Sequence, residues 1–285
     1  MNTISKSVMA ELKSFDNLFI EMSAKSCNQR CKHCYINFPS SKKVEDFINI
    51  EIVQNALNDT KMRDIKCIYL TGAEPMTHPD FNSILRLCLK KSDVCICTSG
   101  FNINEKKARF LKKVEGESNN EIIFKISIDH YDEIKNDNIR YRGAFRDAVF
   151  AVKHLVKHDF SPIITVTNYY MEPENALIHK FRELFSSVGY DVDNSHICIN
   201  PWYDKNSSTC IEVDDISNSK LDCQYGRILT KNGVYSCPFL AGDYRGRCGS
   251  DFKDFASGSP LETSCCVICS KSDKPMFGIN FPDFE

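Results

Sequence analysis

A short polar stretch near the N-terminus carries three cysteines in the spacing Cys-x3-Cys-x2-Cys: Cys27, Cys31 and Cys34. Three thiolates on one loop can bind three irons of a four-iron, four-sulfur cluster and leave the fourth iron without a protein ligand. An iron with an open position can bind a chelating ligand. The triplet therefore predicts a site of chemistry.

Two plainer interpretations of the triplet are a zinc site and buried cysteines that only pack. Cysteine is among the most buried residue types even where it has no other role, and structural zinc usually takes four protein ligands in paired spacings. A packed apolar segment would not surround its cysteines with polar residues such as Asn28, Gln29, Arg30, Lys32 and His33. The iron–sulfur cluster is the favoured hypothesis.

Two motifs resemble those of the radical S-adenosylmethionine (radical SAM) family. Tyr35 directly follows the third cysteine, where the family signature has an aromatic residue, and the segment Thr71 to Pro75 resembles the family's Gly-Gly-Glu-Pro motif with Ala73 at the second glycine. In this family the open iron binds S-adenosylmethionine, which an electron from the cluster cleaves to methionine and a 5′-deoxyadenosyl radical. The resemblance implies S-adenosylmethionine and its cluster as cofactors, which would supply the difficult chemistry.

The resemblance also implies which residues bind the amino end of the cofactor. Because Tyr35 occupies the aromatic position of the family signature, the resemblance implies that it lies beside the cofactor. Gly72 and Ala73 would offer a backbone edge, because small residues permit close approach. Glu74 would accept hydrogen bonds from the ammonium group; the alternative for Glu74 is a carboxylate at a helix start.

For the carboxylate end of the cofactor, the resemblance implies Ser127 and Arg140. Ser127 lies in a Ser-x-Asp pattern and Arg140 in an Asp-x-x-Arg pattern, and a guanidinium has the fork geometry that a carboxylate needs. Arg142 is the neighbouring alternative, and a solvated loop charge is the plainer interpretation of either arginine.

The C-terminal part of the chain carries a second set of cysteines. Two of them flank a predicted hairpin at Asn232-Gly233, and a later Cys-x2-Cys completes four thiolates: Cys223, Cys237, Cys266 and Cys269. Such a set can hold a second cluster or a zinc ion. It resembles the Twitch domain, the shortened relative of the SPASM domain. The resemblance implies one auxiliary four-iron, four-sulfur cluster.

Several other cysteines need separate interpretations. Cys265 adjoins Cys266, so either could supply the ligand, and Cys248 and Cys210 are further candidates. Five cysteines in apolar runs are predicted to pack as small hydrophobic side chains: Cys67, Cys88, Cys95, Cys97 and Cys198.

The elements that must position these residues alternate along the chain. Strands are predicted at 17–22, 66–71, 94–98, 121–128, 162–167 and 196–200. Helices are predicted at 47–60, 80–91, 104–113, 143–158 and 173–187. The alternation implies parallel strands joined by right-handed crossovers. Six units are too few for a closed eight-stranded barrel, and the resemblance likewise implies a partial (β/α)6 barrel, with ligands beyond the carboxyl ends of its strands.

The predicted fold class is α/β: a partial (β/α)6 TIM-type barrel with a small cysteine-rich, Twitch-like C-terminal domain. Residues 1–203 are assigned to the core and 204–285 to a linker and the auxiliary iron–sulfur domain. The boundary rests on a polar stretch rich in Ser, Asp and Asn at 204–220, which is typical of a linker or an exposed loop.

Composition restricts the partners. The net charge of −2 gives no electrostatic reason to expect nucleic acid or a membrane surface, and no apolar stretch is long enough to span a bilayer. The N-terminus lacks the apolar core of a signal peptide. We therefore expect a cytoplasmic protein whose fifteen cysteines are thiols or metal ligands.

The predicted function is a radical SAM oxidoreductase that abstracts hydrogen from a small-molecule or peptide substrate in a tailoring or biosynthetic pathway, with the auxiliary cluster as an exit for an electron. A reductant such as flavodoxin or ferredoxin is the expected partner. The first alternative is a peptide maturase or epimerase in which a spare cysteine, Cys248 or Cys210, donates hydrogen. A lower-ranked alternative is a thiolate site for a metalloid at Cys265, Cys266 and Cys269.

Overall fold

The computed structural model describes residues 8–36, 46–202, 221–272 and 275–279. The strands are β1 (Met9–Glu11), β2 (Asn17–Glu21), β3 (Cys67–Thr71), β4 (Asp93–Thr98), β5 (Ile122–Ser127), β6 (Ile163–Asn168), β7 (Ile197–Pro201), β8 (Gly226–Thr230), β9 (Gly233–Tyr235), β10 (Arg247–Gly249) and β11 (Gly258–Pro260). The α-helices are α1 (Ile50–Leu57), α2 (Phe81–Leu89), α3 (Glu105–Glu115), α4 (Glu133–Ile139), α5 (Ala144–Lys157), α6 (Glu174–Ser186) and α7 (Ser264–Lys271).

The main sheet has nine strands in the order β10-β9-β8-β2-β3-β4-β5-β6-β7. From β2 to β7 the consecutive strands are neighbours and parallel, and helices α1 to α6 connect them. The predicted α/β fold with a parallel sheet is confirmed, and each predicted strand lies within one residue of its expected bounds.

Alternation along the strands separates two apolar layers. Leu18, Ile20 and Leu70 belong to the large core that includes the buried faces of the helices. Phe19 and Tyr69, which point the other way, belong to a smaller cluster on the opposite face, because successive residues of a strand alternate between the faces of a sheet. This smaller cluster lies on the inner side of the barrel.

Local capping explains where several crossover helices begin. The side chain of Asn49 accepts a hydrogen bond from the first turn of α1, and Asn104 does the same for α3. Such residues satisfy backbone N–H groups that have no partner within the helix. Helix α4 was not predicted, although its capping Asp132 followed by Glu133 is a recognisable start signal.

The C-terminal segment joins the same sheet. Strand β8 is parallel to β2 and lies beside it, and β8 forms an antiparallel hairpin with β9 at the predicted turn, where Thr230 pairs with Gly233. Near the N-terminus, β1 pairs with β11. The predicted domain boundary at residues 203 and 204 lies outside the described residues, but on its C-terminal side the chain extends the barrel sheet.

No helix in the described ranges is both long and apolar enough to cross a membrane.

Candidate functional site

A cavity of about 170 Å³ lies on the inner side of the sheet, at and below the carboxyl ends of β3 to β7. Its wall combines residues of the loop after β2 with residues of the strands. The lining residues include Cys27, Gln29, Cys31, His33, Cys34, Tyr35, Thr71, Gly72, Ala73, Cys97, Lys125, Ser127, Arg140, Thr165, Asn200, Phe239 and Phe277. The structure therefore brings the cysteine triplet together with most of the predicted cofactor residues.

The triplet loop is held in place by main-chain hydrogen bonds. The N–H of Met22 donates to the carbonyl of Thr71 at 2.9 Å, and the N–H of Lys32 donates to the carbonyl of Ile139 at 2.9 Å. Burial raises the pKa of Cys27 to about 11 and that of Cys31 to about 12. Binding them as thiolates therefore requires a metal whose positive charge offsets the cost of deprotonation.

Within the part of the chain that the structure describes, no three Cys, His, Asp or Glu side chains converge closely enough to hold a single metal ion. A four-iron cluster takes each thiolate on a different iron, so its ligands stand farther apart than those around one zinc ion. Cys27, Cys31 and Cys34 share one cavity, as the ligands of a single cluster must.

Gly72 explains why the motif after β3 needs a glycine. Its φ is +108°, and an added Cβ would lie 2.5 Å from the carbonyl oxygen of Ser23, in the turn before the triplet. The N–H of Ala73 donates to the same oxygen at 2.7 Å. The motif and the triplet loop are thus in direct backbone contact, which only a residue without a Cβ permits.

Tyr35 connects the same two segments through its ring hydroxyl. The hydroxyl oxygen lies 3.4 Å from Oγ1 of Thr71 and 3.5 Å from the carbonyl oxygen of Gly72. Burial raises the pKa of Tyr35, so the phenol remains protonated.

Glu74 does not line the cavity. Its carboxylate is 1% exposed and accepts hydrogen bonds from Oγ1 of Thr98 at 2.7 Å and from the N–H and Oγ of Ser99 at 2.9 and 2.7 Å. It also caps the short helical turn that begins at Pro75. This arrangement agrees with the alternative of a carboxylate at a helix start, while the expected contact of Glu74 with the cofactor stays a prediction. Residues at the carboxyl end of β4 thus donate to both carboxylate oxygens of Glu74.

Arg140 and Ser127 both line the cavity, whereas Arg142 is exposed. Nε of Arg140 lies 2.6 Å from Oδ2 of Asp129, and Nε2 of His33 lies 2.7 Å from the same oxygen. Burial opposes ionisation of Asp129, but Arg140 and His33 beside it hold its pKa below the usual range. Arg140 is 8% exposed, so it is not the solvated loop charge of the plainer interpretation.

Gln29 is a site residue that sequence reasoning missed. Its Oε1 accepts a hydrogen bond from Arg140 at 3.2 Å. Its Nε2 is buried and has no hydrogen-bond partner among the described residues, and the side chain lines the cavity. A buried donor without an acceptor is costly. A ligand that carries acceptor oxygens beside the triplet would satisfy it. Thiols, an amide donor and a guanidinium in one cavity therefore fit a cluster with a chelating amino acid.

The second set of cysteines also comes together. Cys223, Cys237, Cys266 and Cys269 belong to one apolar cluster, and all four line a second cavity. The neighbouring Cys265 also reaches this cavity but packs against Met276 in a different cluster. This packing favours Cys266 over Cys265 as the fourth member.

The other candidates for the second site lie elsewhere. Cys248 packs against the large core and lines neither cavity. Cys210 lies outside the described residues.

Two aromatic rings form a common wall between the cavities. Phe239 and Phe277 line both of them, and their ring centroids are 4.6 Å apart. The ring of Tyr35 lies 5.8 Å from that of Phe277 and 6.3 Å from that of Phe239. The walls of the two cysteine-lined cavities therefore share aromatic side chains.

Strand residues deeper in the first cavity were also missed. Lys125 is 4% exposed and lines the cavity, and a charged residue inside an apolar strand was the available signal. Cys97 pairs with Lys125 in strand register and is only partly buried. The interpretation of Cys97 as a packing residue is therefore incomplete, because its side chain faces the cavity. Cys67, Cys88 and Cys95 are fully buried, as predicted.

Comparison with known proteins agrees with this architecture. The family model described as the Radical SAM superfamily matches residues 23–184, more than half of the chain. No curated protein sequence matches the chain.

Several solved structures share the fold. The structure of anSMEcpe with bound AdoMet superposes with a TM-score of 0.61 at 15% identity, over 82% of this chain and 74% of that one. SuiB of Streptococcus suis, bound to its precursor peptide SuiA, superposes with a TM-score of 0.60 at 12% identity, over 83% of this chain and 62% of that one. Methylornithine synthase (PylB) superposes with a TM-score of 0.51 at 15% identity, over 67% of this chain and 54% of that one. At such low identities the likeness concerns the fold alone.

Proposed function

The chain belongs to the radical SAM superfamily, and from this premise we propose that it is an oxidoreductase that removes a hydrogen atom from a small-molecule or peptide substrate in a biosynthetic or tailoring pathway. When bound, the cluster and S-adenosylmethionine supply the 5′-deoxyadenosyl radical that performs this abstraction. The observation that carries the proposal is that the triplet shares one cavity with Gly72, Ser127 and Arg140.

Each residue of the cavity has a proposed task. Cys27, Cys31 and Cys34 hold the cluster, and the backbone at Gly72 and Ala73 receives the amino end of the cofactor. Three groups receive its carboxylate end: the Ser127 hydroxyl, the Arg140 guanidinium and the buried Nε2 of Gln29, which has no partner in the described part of the chain. Strand residues deeper in the barrel, among them Lys125, Cys97 and Asn200, then form the wall that faces the substrate.

We further propose that Cys223, Cys237, Cys266 and Cys269 hold an auxiliary four-iron, four-sulfur cluster. Four cysteines clustered in an apolar cavity support this assignment. Removal of a hydrogen atom leaves a substrate radical, which becomes the oxidised product when it passes one electron to this auxiliary centre and releases one proton to solvent. A flavodoxin or ferredoxin would supply the first electron.

A second candidate function is the modification of a peptide. SuiB, which shares the fold, was crystallised with its precursor peptide, and anSMEcpe with AdoMet and a peptide matches 90% of this chain. For an epimerase, we propose Cys97, which lines the cavity, as the hydrogen donor in place of Cys248 or Cys210. The Cys97 hydrogen would pass to the substrate carbon, and the sulfur would regain an electron from the flavodoxin or ferredoxin and a proton from solvent.

The test uses anaerobically reconstituted full-length protein with S-adenosylmethionine and dithionite. We expect 5′-deoxyadenosine from the wild type and none from the Cys27/Cys31/Cys34→Ala variant. We also expect about eight irons falling to about four in that variant. Cys248→Ala, which alters a cysteine outside both cavities, is the matched control and should behave like the wild type.

The outcomes separate the two proposals. A wild type that binds iron but forms no 5′-deoxyadenosine contradicts the proposed reaction. A content of about four irons that falls to zero in the triple variant contradicts only the auxiliary cluster. In D2O with a peptide substrate, one deuterium in the product from wild type and none from Cys97→Ala would support epimerisation.

A further inference from the structure

Arg227, on strand β8, is a fully buried cation next to the second set of cysteines. Its side chain is 0% exposed and is among the largest fully buried side chains of the described protein. One terminal nitrogen donates to the carbonyl oxygens of Cys223 and Gly226, the latter at 2.7 Å, and the other donates to the carbonyl oxygen of Ser257. No nitrogen or oxygen partner for its Nε is found among the described residues, although the guanidinium interacts with the side chain of Cys248.

Among the described residues, these contacts leave the charge of the guanidinium unbalanced. In the described ranges its oxygen partners are neutral main-chain carbonyls, and no carboxylate forms an ion pair with it. The ring of Phe255 lies 5.8 Å away. The thiol of Cys248 is also a neighbour, but burial raises its pKa, so it is neutral near pH 7. A buried charge without a counter-charge is strongly unfavourable.

A metal centre on the neighbouring cysteines would resolve this imbalance. Four thiolates around a four-iron cluster carry more negative charge than the cluster core offsets, so the complete centre is an anion. Arg227 bonds directly to the backbone of Cys223, one of the four cysteines, within the same low-dielectric interior.

We propose that Arg227 is the counter-charge of an anionic iron–sulfur centre held by Cys223, Cys237, Cys266 and Cys269, and that it keeps the reduction potential of that centre high enough to accept an electron. The inference rests on the auxiliary cluster proposed above. Arg227 does not touch the substrate; it acts on the reaction through the charge balance of the centre.

The test measures the centre without turnover. In the Cys27/Cys31/Cys34→Ala background only the auxiliary cluster remains, and its reduction is followed by electron paramagnetic resonance in a potential titration. At the midpoint potential of the parent, we expect the ratio of reduced to oxidised cluster to be at least about tenfold lower in Arg227→Gln. This ratio corresponds to a midpoint potential about 59 mV more negative. Arg227→Lys keeps the charge, so its ratio of reduced to oxidised cluster at that potential should stay within about threefold of the parent.

Arg247→Gln is the matched control. It removes the same charge from an exposed position on β10, where Arg247 also donates to a main-chain carbonyl, that of Asn232. Solvent screens that charge, so the potential should not move.

Each remaining outcome decides the question. A folded Arg227→Gln protein with four irons and the parental potential overturns the proposal. So does an Arg227→Lys protein that fails to fold or to load iron, because the three carbonyl bonds would then be the role of Arg227. The proposal is supported if Arg227→Gln fails to fold or to bind iron while Arg227→Lys folds, binds iron and keeps the parental potential, because the positive charge is then what the centre requires. Parent protein without iron refutes the auxiliary cluster itself.

Discussion

Nζ of Lys125 donates a hydrogen bond to the carbonyl oxygen of Phe277 at 2.7 Å, which ties the C-terminal segment to the inner face of the barrel. The carboxylate of Asp222 accepts from the N–H groups of Met276 and Gly278 at 3.0 and 2.8 Å. A buried cation and a buried carboxylate thus hold opposite sides of one short segment. That segment places the Phe277 ring in the wall between the two cysteine-lined cavities.

Lys125→Met should loosen this wall. The substitution leaves the Phe277 carbonyl without its donor, which costs about 1–3 kcal/mol. We expect faster hydrogen exchange at the amides of Phe277 and Gly278. Lys112→Met is the control, because Lys112 also donates to a main-chain carbonyl, that of Asp159, but from a half-exposed position. Unchanged exchange in the Lys125 variant would show that the other contacts of the segment, such as those with Asp222 and Tyr69, hold it without Lys125.

Gly72→Ala should disrupt the triplet loop. The new methyl group would lie 2.5 Å from the Ser23 oxygen at a φ of +108°. We expect a loss of about 2–5 kcal/mol in the free energy of unfolding and a loss of iron from the triplet. Gly189→Ala is the control for backbone conformation alone, because its φ is +82° with open space around it. Equal effects of the two changes on stability and iron content would rule out the collision.

Glu74→Gln tests whether Glu74 stabilises the fold as a buried hydrogen-bond acceptor. A glutamine cannot accept all the hydrogen bonds that the carboxylate receives from Thr98 and Ser99. We expect the free energy of unfolding, measured with urea, to fall by about 2–4 kcal/mol. Glu133→Gln removes a half-exposed carboxylate paired with Arg146 and should cost no more than about 1 kcal/mol. A Glu74 variant of normal stability that binds S-adenosylmethionine more weakly would instead support the predicted cofactor contact.

Glu21 predicts a pH dependence of stability. Burial raises its pKa from 4.5 in the unfolded chain to about 7, although Lys231 opposes the shift. The folded protein therefore retains a proton that the unfolded chain has lost. The stability from this group is complete below about pH 4.5 and is lost as the pH rises through about 7.

Urea unfolding of Glu21→Gln at pH 5 and pH 8 measures the effect. The variant should gain stability relative to wild type at pH 8, on the order of 2–3 kcal/mol, and less at pH 5. Glu117→Gln, which breaks a surface pair with Arg86, should show no such difference. A Glu21 variant whose relative stability is the same at both pH values would contradict the raised pKa.

Local features were readable from the chain. The triplet spacing, the segment from Thr71 to Pro75 and the alternation of strands and helices each depend on residues that are close in sequence. The six parallel strands were therefore predicted within one residue. The hairpin at Asn232-Gly233 was predicted for the same reason, because a tight turn depends on the conformations open to its own residues.

Relationships between distant segments required the tertiary structure. The fold decided that Cys266 packs beside Cys223 while Cys265 packs against Met276. It also decided that Glu74 accepts a hydrogen bond from Ser99 and that Lys125 faces a cavity. These outcomes depend on which strands become neighbours and on which side chains then compete for the same space. Hydrogen bonds and packing are short-ranged, so a single sequence determines which groups are available, and only the folded chain decides which of them meet.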